Sequence, residues 1–201
     1  MKARTIPYFV ALAACVYLAA GCGTTVKRVQ VENPIDLSGR WNDTDSRQVA
    51  KAMIADCLAR SWQPMFQGEH KRVPVVIVGD VKNQSHEHIN SEVFTKELER
   101  NLINSGKVKF VASKGERPQV REERQDQQEN SSAVTRKKLK NETGADYMLI
   151  GSINSIKDEI KSRYVIMYQV NLELIDLETN EKVWLGEENI KKIVEKSKYS
   201  L

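Results

Sequence analysis

Two imidazoles and a carboxylate, the side chains that most often bind transition metals, are adjacent at His86, Glu87 and His88. In an extended segment, residues two apart project on the same side, so His86 and His88 have the spacing to share one ion. A zinc site needs three or four protein ligands, and a β-branched run separates this cluster from His70. A solvated polar loop is therefore the favoured interpretation, and we predict neither a metal site nor another cofactor.

The sequence also lacks the common nucleophile and phosphate-binding patterns. Ser152 lies in the run IGSIN (150–154), which has no second glycine to form a nucleophile elbow. Neither GxxxxGK[ST] nor GxGxxG occurs. The neighbouring carboxylates Glu122 and Glu123 belong to a polar segment that offers no enclosed site for general acid–base catalysis. We expect no catalytic residues and no enzymatic activity.

The N-terminal residues have the pattern of a lipoprotein precursor. Lys2 and Arg4 precede an apolar run that ends at Ala20. This run is shorter than the ~20 residues that a membrane-spanning helix needs, so residues 1–21 are predicted to be a secretory signal peptide. Small residues directly before Cys22 match a lipobox, in which the peptide is cleaved and the cysteine acylated.

A second cysteine also fits a lipobox. Cys15 follows the residues Leu-Ala-Ala, and this pattern matches slightly better at the leucine position. Cleavage there would leave the apolar residues 16–20 at the start of the mature chain, so Cys22 is favoured as the lipidation site. Acylation of Cys22 leaves Cys57 without a partner for an intramolecular disulfide, and Cys57 is expected to be a small apolar residue on a helix.

Acyl chains on Cys22 would anchor the protein durably to a membrane. Gly23 follows the cysteine where an aspartate would favour retention in the inner membrane, so we expect an outer-membrane protein that faces the periplasm. Residues 22–35 are predicted to be a lipidated tether. Its ~14 residues span at most ~50 Å when fully extended.

Length and charge limit the remaining possibilities. The 201 residues allow one ordinary domain, which we place at 36–201. Loss of Lys2 and Arg4 from the 31 basic residues leaves 29 against 27 acidic ones, a net charge of +2. This balance gives no reason to expect a nucleic-acid partner.

Hydrophobic periodicity predicts alternating helices and strands in the first half of the domain. A helix is expected at about 45–62, capped by Thr44 or Asp45 and ended by Pro64 and Gly68. The apolar run 73–81 is typical of a strand that is covered on both faces. Further elements are expected at 90–104, a helix ended by Gly106, and at 108–112, a short strand.

The second half is predicted to be polar at first and then rich in strands. Residues 113–131 contain few apolar side chains, and a third packed helix is expected at about 132–142. Three strands follow, with a turn at 178–180, and their predicted ranges are 146–156, 163–177 and 182–193. The fold class is therefore α+β: a single, mostly antiparallel sheet of about four or five strands with helices packed on it.

The segment before the first helix contains the candidate binding residues. Gly39 hinges a loop that presents Arg40 and Trp41, two residue types that dominate many protein interfaces. With Asp43 and Asp45, they form our predicted partner-binding site. The alternative is that Trp41 fastens the loop to the core while Asp43 and Asp45 cap the helix.

Three segments resemble the penicillin-binding protein activator LpoB family: DLSGRWNDTDSR (36–47), GADYML (144–149) and LIDLETNEKVW (174–184). The resemblance covers nearly all of the mature chain. It implies an outer-membrane lipoprotein with an α+β domain similar to the N-terminal domain of TolB. It also implies a partner, a bifunctional penicillin-binding protein (peptidoglycan synthase), which the domain binds and stimulates without catalysis of its own.

The tether departs from the family pattern. Well-known members have a long, proline-rich tether that reaches an inner-membrane enzyme, whereas the tether predicted here, residues 22–35, is short. An envelope structural lipoprotein, or one linked to secretion or flagellar assembly, is therefore the alternative function for the same fold.

We predict that Cys22→Ala releases the protein from membranes, because removal of the acylated residue removes the anchor. Membrane and soluble fractions of cells expressing either the native chain or the variant measure this release by immunoblot. Cys15→Ala is the matched control and is expected to leave the protein in the membrane fraction. Membrane attachment of Cys22→Ala together with release of Cys15→Ala would reassign lipidation to Cys15.

Overall fold

A computed structural model describes residues 24–138 and 141–195. The predicted signal peptide and both lipobox cysteines lie outside these residues. The chain divides into two units, residues 1–34 and 35–201. Residues 24–34 of the first unit contain a turn at 31–33 and neither helix nor strand. In the described parts of the chain, no helix is both long enough and apolar enough to cross a membrane.

The described residues of the second unit form four helices and five strands. Their order is α1 (Asp43–Ala59), α2 (Trp62–His70), β1 (Val75–Asn83), α3 (Ser91–Asn104), β2 (Lys109–Phe110), α4 (Arg117–Asn130), β3 (Tyr147–Ile160), β4 (Arg163–Asp176) and β5 (Lys182–Glu195). The predicted α+β class is confirmed.

The five strands form one mixed sheet in the order β2-β1-β3-β4-β5. Strand β1 is parallel to both β2 and β3, whereas β4 is antiparallel to both β3 and β5. The antiparallel ladders run the full length of three long strands, and β2 contributes only two residues. The three strands predicted for the second half are therefore present and antiparallel to one another in order, whereas the sheet as a whole is mixed rather than mostly antiparallel.

Alternation along β4 defines the two faces of the sheet. Even-numbered residues from Ile166 to Leu174 are buried against the helices, whereas odd-numbered residues are half-buried on the opposite face, which we call the open face. Residues that pair across a ladder lie on the same face of the sheet, and Ile153 of β3 and Glu188 of β5 both pair with Val170. Odd-numbered residues of β3 and even-numbered residues of β5 therefore face the helices.

Helix α1 begins two residues earlier than predicted. Asn42 is its N-cap: the Asn42 side chain accepts a hydrogen bond from the Asp45 amide at 3.1 Å, and the Asp45 carboxylate accepts one from the Asn42 amide at 2.9 Å. This reciprocal capping box satisfies two backbone donors that lack helical partners. The predicted caps, Thr44 and Asp45, both lie inside the helix, because the Asn42 side chain caps it two residues before Thr44.

The predicted single helix at 45–62 is wrong at its C-terminal end. The chain breaks at Arg60 and Ser61 and then forms α2, which contains both predicted helix breakers. Pro64 is tolerated because it lies in the first turn of α2, where its missing N–H would have no helical acceptor. The Trp62 indole N–H donates to the Cys57 carbonyl at 2.7 Å and so joins the two helices.

Helix α3 agrees with its prediction at both ends. Asn90 caps it by accepting a hydrogen bond from the Glu92 amide at 3.1 Å. Gly106, with φ of +66°, follows the last turn in the left-handed conformation that glycine adopts without strain. Phe94, Leu98 and Leu102 form the buried stripe that packs into the core.

The predicted third packed helix at 132–142 is wrong. Residues 131–138 form turns, residues 141–146 are not helical, and the residues between them lie outside the described part of the chain. Val134, one of the few apolar residues there, is 95% exposed. Helix α4 precedes this segment and has no buried residue, which agrees with the few apolar side chains of residues 113–131.

Cys57 occupies the position expected for a small apolar residue. It is a free cysteine on the core side of α1. Burial raises the pKa of the Cys57 thiol to about 12, so the thiol is neutral and unreactive at physiological pH.

We predict that Leu98→Ala lowers the free energy of unfolding by about 2–5 kcal/mol, because it leaves a cavity among fully buried side chains. Val93 lies on the same helix with 51% of its surface exposed. Val93→Ala is therefore the control, with an expected change within about 0.5 kcal/mol. Urea denaturation followed by circular dichroism measures both values. Equal losses would contradict the assignment of the buried face of α3.

Candidate functional site

A surface groove with a volume of about 670 Å³ is the candidate site. Three segments surround it: the loop 36–42 before α1, the loop 84–90 after β1, and the hairpin end of β3 and β4. The groove is lined by Ser38, Arg40, Trp41, His86, Glu87, His88, Lys157, Glu159, Tyr164 and Ile166. It therefore brings together two sets of residues that the sequence analysis treated separately.

The first loop is shaped by Gly39. Its φ of +70° belongs to the left-handed region, and a Cβ atom built there would lie 2.2 Å from a Val194 methyl carbon. The Gly39 amide donates to the Asp36 carboxylate at 2.8 Å, and the Tyr164 hydroxyl donates to the Ser38 carbonyl. Conformation and close packing thus both require glycine at this position.

Trp41 fastens this loop to the core. Its indole N–H donates to the Ser46 hydroxyl at 2.8 Å, and its ring packs edge-on against Phe94 and Tyr168, with centroid separations of 6.1 and 5.4 Å. The Trp41 amide donates to the Glu87 carboxylate at 3.1 Å, so the two loops are tied to each other. For Trp41, the structure shows the alternative interpretation, in which the residue holds the loop in place.

The second loop is held by β3. The His86 amide donates to the buried Ser155 hydroxyl at 2.9 Å, and the His86 ring nitrogen Nδ1 lies 2.9 Å from the same oxygen. Burial, together with the hydrogen bond and the charge of Glu87, raises the pKa of Tyr168. The loop is therefore ordered by hydrogen bonds to core residues.

Metal binding finds no support in this geometry. Among the residues that the structure describes, no group of three or more His, Cys, Asp or Glu side chains is placed to hold an ion. The groove contains two exposed imidazoles and two carboxylates. The Glu87 carboxylate is already bonded to the Trp41 amide, and the Glu159 carboxylate to the Lys157 ammonium.

Lys192 of β5 connects the first loop to the sheet. Its ammonium group lies 2.7 Å from both the Asp36 and Asp45 carboxylates and 3.1 Å from the Arg40 carbonyl. Burial alone would lower the pKa of Lys192, but hydrogen bonds with Asp36 and Asp45 outweigh this effect, and the pKa is raised. The lysine therefore stays charged and fixes the backbone that presents Arg40.

The four predicted binding residues thus occupy two kinds of position. Trp41 and Asp45 make buried contacts that position the loop, whereas Arg40 and Asp43 are exposed. The Asp43 carboxylate also pairs with Arg47 of the next turn at 2.6 Å. Partner binding by these residues remains a prediction.

Sequence reasoning missed three residues that build the groove: Lys157, Tyr164 and Lys192. The Lys157 ammonium lies 4.6 Å from the centroid of the Tyr164 ring and 2.7 Å from the Glu159 carboxylate. The strand alternation shows which sheet face each residue occupies, but not that the loop 36–42 covers that face. Only the tertiary structure supplies this information.

The other two segments that carry the family resemblance have structural roles. Asp146, in the second segment, accepts two hydrogen bonds from the Arg72 guanidinium at 2.6 and 2.7 Å and one from the Val75 amide at 2.7 Å. In the third segment, the Asp176 side chain accepts two amide hydrogen bonds within the β4–β5 turn. Trp184 then donates to Asp56 of α1 at 2.9 Å.

We predict that Lys192→Met lowers the free energy of unfolding by about 1–3 kcal/mol, because it leaves the Asp45 carboxylate buried without its cation. The Lys182–Glu173 ion pair, in which the lysine is exposed, provides the control. Lys182→Met is expected to lower the free energy of unfolding by at most about 1 kcal/mol. Urea denaturation at neutral pH compares the two. Equal costs would contradict the anchoring role of Lys192.

The loss of folding stability caused by Lys192→Met should also depend on pH. The Asp36 pKa is lowered in the folded state, although burial alone would raise it, because Lys192 and the Gly39 amide both bond to the carboxylate. A carboxyl whose pKa is lowered by folding stabilises the folded state at pH values above its unfolded pKa of 3.8. This stabilisation is lost as the pH falls below that value and the carboxylate is protonated. The difference in stability between native protein and variant should therefore shrink below about pH 3.8.

Comparison with known proteins gives a family match across the folded unit. Residues 45–190 match the family model described as peptidoglycan-synthase activator LpoB. The LpoB C-terminal domain from Escherichia coli is 16% identical with a TM-score of 0.46, and the alignment covers 74% of this chain and 99% of that domain. A lipoprotein from Neisseria meningitidis is 14% identical with a TM-score of 0.38, over 60% of this chain and 83% of its own.

The comparison with curated proteins found no match. The family model alone covers most of the described helices and strands, from within α1 to within β5. The prediction of a regulator without catalysis of its own agrees with membership in this family of activators. The chain belongs to the peptidoglycan-synthase activator LpoB family.

Proposed function

We propose that this chain is a lipoprotein anchored in the outer membrane through Cys22, which binds and stimulates a bifunctional penicillin-binding protein from the periplasmic side. The observation that carries the proposal is the family match over residues 45–190. Stimulation by contact requires a stable complementary surface and membrane anchoring, and it requires no catalytic group. The protein would therefore regulate cell-wall synthesis through its surface alone.

The groove is the proposed docking surface. Its loops are held by hydrogen bonds from Trp41 and Lys192, so Arg40 is presented from a backbone that loses little freedom on binding. Exposed His86 and His88 lie on the opposite side of the groove, and Lys157 lies at its hairpin end. Arg40 favours a carboxylate on the partner surface, whereas Lys157 is already paired with the Glu159 carboxylate of the groove.

The four candidate residues have separate roles, and of these four only Arg40 and Trp41 line the groove. Arg40 and Asp43 would contact the partner directly, since both are exposed. Trp41 and Asp45 would act by positioning Arg40, since both are bonded to core groups. Replacement of Arg40 should thus change binding without changing folding, whereas replacement of Asp45 should change both.

The tether limits where binding can occur. Residues 22–35 reach at most ~50 Å, so a partner must extend toward the outer membrane to meet the domain. The same limit is the observation that favours the alternative function, an envelope lipoprotein with a structural, secretion or flagellar-assembly role close to the outer membrane. Recovery of the partner decides between the two functions.

We predict that the native lipoprotein, used as bait in detergent-solubilised envelopes, recovers a bifunctional penicillin-binding protein, because the family match implies such a partner. Adding the chain to that synthase should raise its rate of glycan polymerisation. Failure to recover a synthase, together with normal wall synthesis in a deletion strain, would favour the alternative function.

Arg40→Glu tests the docking surface in the same assay. Reversal of an exposed interface charge should weaken synthase binding by about tenfold while leaving thermal stability unchanged. Lys51→Glu provides the same charge reversal at an exposed position of α1 outside the groove, and native binding is expected. Equal loss with both variants would indicate a general charge effect and would contradict docking at the groove.

A further inference from the structure

The outer edge of β5 carries a side-chain pattern that is complementary to itself. Strand β5 lies at one edge of the sheet and extends from Lys182 to Glu195. Its odd-numbered residues from Leu185 to Glu195 are exposed on the open face. Among the backbone hydrogen bonds found outside helices and ladders in the described residues, none uses the edge from Leu185 to Glu195. This edge therefore offers unpaired amides and carbonyls to another strand.

The pattern is centred on Asn189. On the open face, Glu187 and Lys191 flank it two residues away on either side, and Leu185 and Ile193 flank it four residues away. When two identical strands run antiparallel around a twofold axis at Asn189, each Glu187 lies opposite the partner copy's Lys191. Each Leu185 likewise lies opposite Ile193.

We propose that two copies of this chain pair along β5 in this register, which joins two five-stranded sheets into one of ten strands. Opposite charges in direct cross-strand pairs are favourable, and so are apolar pairs. The pairing would also cover Leu185 and Ile193, which are 66% and 59% exposed. Both are large apolar side chains, whose contact with water is unfavourable.

Neighbouring registers lack this complementarity. With the axis at Glu188, Leu185 would face Lys191 and Glu187 would face Asn189. With the axis at Ile190, Glu187 would face Ile193 and Leu185 would face Glu195. On the open face, both shifts place apolar side chains opposite charges, so the exposed odd-numbered side chains favour the register centred on Asn189.

The helices leave this edge accessible. Helix α1 packs against β5 on the helix-covered face of the sheet, and also against α3. The loop 36–41 covers Lys192 and Val194 on that same face. On the open face, the exposed residues of β5 are uncovered in the described part of the chain. This pairing is independent of the synthase partner and leaves the groove unoccupied.

Disulfide trapping in the cell envelope tests the register with the full chain. In the proposed dimer, Asn189 lies opposite its own copy, with Cα atoms ~4.5–5.5 Å apart, a separation that a disulfide spans. Asn189→Cys should therefore give a crosslinked dimer on non-reducing gels. Lys191→Cys is the matched control on the same strand and face, where the two identical residues would lie ~13 Å apart.

We expect at least about a tenfold stronger dimer band for Asn189→Cys than for Lys191→Cys, because a disulfide cannot bridge Cα atoms more than ~7 Å apart. Equal bands at both positions would show crowding on the membrane without register. Absence of a dimer band at Asn189→Cys would show that β5 does not pair with itself. Either result overturns the proposal.

Charge exchange gives a second test that does not depend on cysteine chemistry. Lys191→Glu places two carboxylates opposite each other at both symmetric positions and should weaken self-association by about tenfold. Adding Glu187→Lys to this variant restores opposite charges and should restore association. Sedimentation of the full-length protein in detergent measures both. If Lys191→Glu weakens self-association and the double variant does not restore it, the proposed pairing is contradicted.

Discussion

Strand β4 must bury one face and leave the other half-solvated, and the arrangement of the rest of the domain depends on this constraint. Its even-numbered residues form the floor of the core under the helices. The unbroken ladder with β3, and a ladder with β5 that shifts only between Leu174 and Ile175, carry the same alternation across three strands. Burial at one strand therefore fixes which side chains of its neighbours can meet the helices.

The candidate groove follows directly from that register. Lys192 pairs with Ile166 across the β4–β5 ladder, which places its ammonium group on the helix side, under the loop 36–42. Tyr164 has the same orientation and bonds to the Ser38 carbonyl. The exposed residues that we propose as contacts are thus presented by a loop that the sheet itself holds. In this domain, the groups that position the surface are buried or half-buried, and the groups that would meet a partner are exposed.

Sequence patterns located those elements whose stability comes from a strong local periodicity. The long strands and α3 were predicted closely, because alternation and a three-to-four-residue spacing are properties of the chain itself. The segment 132–142 was predicted wrongly as a helix, and the apolar residues described there, Ala133 and Val134, are exposed. The break between α1 and α2 was also missed. The Trp62 indole bonds across that break to a core carbonyl, and no local pattern encodes this contact.

The sequence by itself determined the α+β class, the two-sided pattern of the sheet, the apolar role of Cys57 and the resemblance to a family of activators. Each of these depends on residue type and short-range spacing, which the chain carries before it folds. Only the tertiary structure decided that Trp41 and Asp45 hold the loop while Arg40 is presented, and that the loop meets Lys192. The contacts of Lys192 with Arg40 and Asp45 join residues 152 and 147 positions apart, and they form only when the sheet register and the packing of α1 bring them together.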